Sequence, residues 1–224
     1  MEKELSKNLL VWGATILVIQ NIIFIPSLIL GAFLYSRIGG LAFAPAFWTD
    51  LTGFALIGVG IYFIGDFYTS VARFTKRTAL GAFTWVILSA LWRLMFGILI
   101  PIPIPLDIPI ISIIFGGIAA VAFLLLMIFI KEVMNAFQEQ ESIGKGGSTL
   151  ITVYAIIHII GAAMIFLGYL SMSVSDTSYE GLDIRHFQRL LPILFGFLLK
   201  FFVVPLMGIS TFLDVRNCFQ SIEN

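Results

Sequence analysis

The sequence predicts an all-α integral membrane protein of six transmembrane helices, and three observations carry that expectation. Hydrophobic residues make up 59% of the chain and charged ones 12%, with a mean hydropathy of +1.04, far from the roughly half-apolar, quarter-charged mixture of soluble domains. Six windows, 9–35, 47–68, 78–100, 108–130, 150–174 and 190–213, hold the roughly 20 apolar residues that a helix needs to cross the hydrocarbon. Lysine and arginine in the connections collect on one side: Lys3, Lys7, Arg73, Lys76, Arg77, Lys131, Lys145 and Arg216, against Arg37, Arg185 and Arg189 on the other. That asymmetry holds loops in the cytoplasm, so both termini are expected there. The chain is read as one multi-pass domain, with the plasma (inner) membrane as its expected address.

Taken in order, the charged start MEKELSKN leads into an apolar run too long for a signal-peptide core, with no A-x-A cleavage pattern, and is expected to be a retained first span. The second span is bracketed by Asp50 and Asp66, with the aromatic pairs Phe47/Trp48 and Phe67/Tyr68 beside them. Such pairs mark membrane interfaces, which predicts both aspartates near headgroup level. Between the third and fourth spans, PIPIPLDIPI removes amide protons and forces extended backbone, predicting a stiff apolar hairpin before a helix capped by Asp107 with Pro109 in its first turn. GKGGST, from Gly144, lacks the strand and the earlier glycine of a phosphate loop and is read as a turn with Ser148 or Thr149 capping the fifth helix. The loop SVSDTSYEGLDIRHFQR is expected to face outward.

The exits of the even-numbered spans read DFYTSVA from Asp66, EVMNAFQ from Glu132 and DVRNCFQ from Asp214. The last two share acid, Val, Asn, small residue, Phe and Gln in register, which suggests three pseudo-repeated helical hairpins. Val133 and Phe137, and Val215, Phe219 and Ile222, recur at helical spacing beyond the bilayer. Such stripes can lie on headgroups, pack on one another or dock a partner, and partner docking is the expectation taken forward.

Within the spans, polar residues are few, and a charge at mid-bilayer costs roughly 2.5–3.5 kcal/mol. Lys200, His158, Gln20 and Asn21 fall near the midplane, and Arg93 about 10 Å from the outer end of the third span, at about 1.5 Å per residue. Glycine or serine three or four positions away (Gly196 for Lys200, Gly161 for His158, Ser89 and Gly97 for Arg93) lets helices approach closely at each. The five residues are expected to form a donor-rich pocket with no acid at its depth, suited to an anion or lipid headgroup.

Several function classes fall away. Zero net charge argues against nucleic-acid binding. One cysteine, Cys218, and two histidines offer no metal cluster, and no cofactor is expected. No span carries a serine-protease motif or a nucleophile–base–acid set, so no enzyme is expected. Two readings remain. In the first, the chain is a non-catalytic subunit that packs against other membrane protein subunits and lipid in a larger assembly. In the second, it is a small-solute transporter or solute-binding component, with Pro26 and Pro205 breaking helices beside a midplane site. The sequence favours the first, on the strength of the apolar exits.

The charge asymmetry predicts that cysteines introduced in 174–187 react with an impermeant thiol reagent added outside intact cells, whereas those in 131–148 stay unlabelled. The opposite labelling pattern would reverse the orientation.

Overall fold

The computed structural model describes residues 2–33, 44–67, 72–95, 109–141, 147–173 and 184–221, and among these there are helices and short turns but no strand. The helices are α1 (Glu2–Phe33), α2 (Ala44–Ile64), α3 (Ala72–Met95), α4 (Pro109–Glu141), α5 (Gly147–Ser173), α6 (Ile184–Leu198) and α7 (Val204–Gln220). A π-helical turn, Leu199–Val203, joins α6 to α7 as one rod. The expected proline hairpin at 101–108, the outward loop at 174–183 and Ile222 lie outside the described residues.

The described part of each expected window falls on one rod. Four stretches are long and apolar enough to cross a membrane: Lys3–Ser27, Pro45–Ile64, Gly117–Phe137 and Leu191–Gln220; Thr149–Met164 on α5 is a shorter apolar run. Helix α3 is diluted by Arg73, Lys76, Arg77 and Arg93. The outward faces carry Trp12, Ile22, Leu80, Ile87, Val121, Ile156, Leu194 and Leu206, all exposed. So extensive an apolar exterior is stable in lipid and not in water. The chain is a helical membrane protein.

Close approaches define how the rods run. A Cβ on Gly13 would lie 2.8 Å from Ile57 Cγ1 and 2.9 Å from the Gly53 carbonyl, while Gly60 abuts Leu10, so α1 and α2 are antiparallel and packed backbone to backbone. Gly58 against Ala82 and Gly65 against Thr75 set α2 antiparallel to α3, and Gly81 against Phe129 does the same for α3 and α4. Lys131 Nζ donates to Thr152 Oγ1 at 3.0 Å while Phe123 meets Tyr154, turning α5 back along α4. Gly161 meets Leu199 and Lys200, and Gly208 meets Asn21, so the last rod returns to the first. The six rods therefore form a closed up-down ring, with the start of α1 and the end of α7 at one end, here termed the terminal end.

Neither Pro26 nor Pro205 breaks its helix. Helix α1 continues through Pro26. Pro205 has no N–H to give the Phe201 carbonyl and its ring crowds that carbonyl. The chain accommodates this by widening one turn earlier, where the Val204 N–H donates to the Leu199 carbonyl five residues back.

The ring's apolar core lies mostly toward the terminal end and corrects the docking expectation. Val133, Phe137, Val215 and Phe219 are fully buried in the protein's own core, and the Phe137 and Phe219 rings meet edge to face with centroids 6.4 Å apart. Helices α4 and α7 touch across the ring here, so the two stripes face each other and leave no surface for a partner. Phe47 is likewise no interfacial residue: it is fully buried, and Trp48 alone of that pair points outward.

Losing a well-packed core phenylalanine costs roughly 3–5 kcal/mol. Phe219→Ala is expected to lower the unfolding temperature in detergent by several degrees, and Phe67→Ala, at an exposed ring, to leave it in place. Equal effects would return the stripe to the surface.

Candidate functional site

At mid-depth the ring encloses a cavity of about 330 Å³, within the size range of small-molecule sites. Its lining includes Gln20 and Asn21 from α1, Asp50 from α2, Ser89 from α3, His158 from α5 and Lys200 from the π turn. Four of the five expected midplane residues therefore share one space. The fifth, Arg93, sits one turn beyond Ser89 on α3, and its side chain lies outside the described residues.

The centre of the site is a hydrogen bond between Lys200 Nζ and His158 Nε2. Glycine makes it possible: a Cβ on Gly161 would lie 3.2 Å from the Lys200 backbone nitrogen and 3.4 Å from the Gly196 carbonyl, so α5 and the π turn approach closely. The π turn aims the lysine inward, and π turns of this kind recur at functional positions. His158 is held from behind by Phe123, whose ring stacks on the imidazole with centroids 4.3 Å apart.

On the facing rod, Asn21 is almost fully buried and its Nδ2 donates to the Leu17 carbonyl at 2.7 Å. The amide oxygen faces Gly208, where any side chain would run into it. Gln20, one position away, is half-buried on the cavity wall. Phe24 stacks on Phe201 at 5.7 Å beside them and ties α1 to the π turn.

Below the polar groups lies an aromatic floor. Phe54 meets Trp85, Phe123 and Phe212 at 6.3, 6.4 and 6.0 Å, and Tyr154 meets Phe123 and Phe212 at 6.1 and 5.6 Å, mostly edge to face. Five rods thus meet at one cluster, the geometry aromatic rings prefer. It separates the cavity from the apolar core at the terminal end. The indole Nε1 of Trp85, which lines the cavity, is buried with no hydrogen-bond partner among the described residues.

Asp50 overturns one expectation. The cavity holds an acid at its own depth, where Asp50 lines it together with Tyr154. The reason is where α2 starts: the helix begins at Ala44 and not at the aromatic pair, which carries Asp50 about 9 Å into the rod at 1.5 Å per residue. Trp85, Tyr154 and the floor were also missed, because an aromatic residue inside a span looks the same in sequence whether it faces lipid or a neighbour. Among the described residues no three His, Cys, Asp or Glu side chains come together as metal ligands.

The arrangement can bind. It offers basic and neutral donors, one acid and aromatic walls around one cavity. Comparison with protein-family models, curated proteins and solved structures gave no match to this chain.

Gly208→Ala is expected to lower the unfolding temperature, because the new methyl group strikes the Asn21 amide. Adding Asn21→Ala should recover most of the loss, with a coupling above about 0.5 kcal/mol in the double-mutant cycle. Strictly additive losses would place the two residues apart.

Proposed function

We propose that this chain is a small-solute-binding membrane protein of the transporter class, whose site is the mid-depth cavity and whose solute is a small anion, free or as a lipid headgroup. The observation that carries the reading is the convergence of Lys200, His158, Gln20 and Asn21, from three separate rods, on one cavity. Polar groups are costly at this depth, and four of them gathered around a cavity mark a binding site.

The same proposal includes six transmembrane helices in three hairpins, both termini cytoplasmic, in the plasma (inner) membrane. The terminal end then faces the cytoplasm, and the aromatic floor with the core beneath it closes the cavity on that side. Solute entry is from the outside. Binding is the role proposed, on the donors Lys200, His158, Gln20 and Asn21 that converge on the cavity.

The alternative, a non-catalytic subunit of a larger assembly, drew its main support from the apolar exits. Two of those exits are taken up by the chain's own packing, where Val133, Phe137, Val215 and Phe219 are fully buried, while Phe67 at the first exit is exposed. The transporter reading is therefore preferred.

Trp85 provides the reporter. With Trp12, Trp48 and Trp92 changed to Phe, emission from Trp85 is expected to respond saturably to inorganic phosphate or lactate. Lys200→Met should abolish the response and lower the unfolding temperature by a few degrees, because it strands the His158 Nε2 acceptor. An unchanged response in Lys200→Met would remove the lysine from the site.

A further inference from the structure

Resting on the solute-binding reading of the cavity, we infer that the Lys200–His158 pair takes up its anion together with one proton, making the protein an electroneutral anion–proton symporter. The inference starts from the hydrogen bond between Lys200 Nζ and His158 Nε2. Both groups are bases, and a hydrogen bond between them needs one of them to accept. With Lys200 as ammonium, His158 is neutral and Nε2 is the acceptor. A second proton on His158 turns Nε2 into a donor, which removes the acceptor and sets two positive charges at hydrogen-bond distance. The pair as it stands therefore holds at most one excess proton and not two.

The charged and titratable groups facing the pair complete the balance. Asp50 faces it from α2 and Tyr154 from α5, while α1 offers the neutral Gln20 and Asn21, and α4 offers Ala119, Ala120 and Phe123. On α3, Arg93 lies one turn beyond Ser89. Asp50 and Lys200 line the same cavity and bring opposite charges to it. An anion entering that low-dielectric space alone would bring an unbalanced charge. His158 is the one group of the set whose ordinary titration lies near neutrality; aspartate titrates well below and tyrosine and lysine well above.

Anion entry and protonation of His158 therefore assist each other. The proton comes from bulk water with the anion, and the imidazolium and ammonium, no longer able to bond to each other, both turn their N–H groups to the anion as the shared acceptor. No bond is made or broken apart from N–H at Nε2, and the added charge sums to zero. The Phe123 ring stacked on His158 keeps the imidazole in place through the exchange.

Nitrate is the test probe, because as the anion of a strong acid it carries no proton of its own. In the protein whose only tryptophan is Trp85, nitrate is expected to change emission saturably, with an affinity that falls about tenfold per pH unit on the alkaline side of the His158 titration. A pH indicator in weakly buffered detergent solution should report about one proton taken up per nitrate bound. His158→Gln should bind with no pH dependence and no uptake. Asp50→Asn, which frees the lysine charge, should strengthen binding at alkaline pH. Saturable nitrate binding in the unsubstituted site without proton uptake would overturn the symport and leave the binding site standing. No saturable response to nitrate, phosphate or lactate at any pH would overturn the solute-binding reading itself.

Discussion

In lipid, a leucine against another leucine gains little over a leucine against an acyl chain, so a helix ring has to be held by close backbone approach and by polar groups with nowhere else to go. Both devices operate here, and the rest of the structure depends on them. Gly13, Gly53 and Gly60 bring α1 and α2 into backbone contact, and Gly161 does the same between α5 and the π turn. The second contact is the one with chemical consequences, because it delivers Lys200 to His158. A larger residue at Gly161 would separate the two bases and leave a lysine alone in a medium that penalises its charge.

The proline at 205 adds to this in a way that breaking the helix would not. By forcing a π turn at Leu199–Val203 it rotates the lysine relative to the α-helical positions on either side while the rod stays continuous. The polar groups then collect on one side of the aromatic cluster, and the apolar residues Val133, Phe137, Val215 and Phe219 fill the ring on the other. The two halves differ in what they can do. The packed half resists opening because its rings interlock edge to face, while the polar half has room for a solute. An alternating-access cycle on this frame would need the aromatic floor to open, since Phe54, Trp85, Phe123, Tyr154 and Phe212 come from five separate rods.

How far the site could be read in advance varied with the kind of residue. Lys200, His158, Gln20 and Asn21 stood out because polar groups are rare in spans and costly at mid-depth, and the nearby glycines pointed to helix contact; the cavity gathers all four. Asp50 lies deeper than the aromatic pair beside it suggests, because the helix starts at Ala44, three residues before Phe47. The exit stripes were legible as apolar faces at helical spacing. What they face was not: period alone cannot say whether an apolar face outside the hydrocarbon meets a partner, a headgroup or another part of the same chain.

The sequence by itself determined the apolar solvent and the helical class, because hydropathy and span length act locally along the chain. Only the tertiary structure decided which faces meet. The closure of the ring, the pairing of residues 42 positions apart in Lys200 and His158, the entry of Asp50 into their cavity and the burial of Phe137 against Phe219 all depend on how the rods rotate about their own axes. That rotation is set by small residues and ring contacts between rods distant in sequence, and no single helix carries the information.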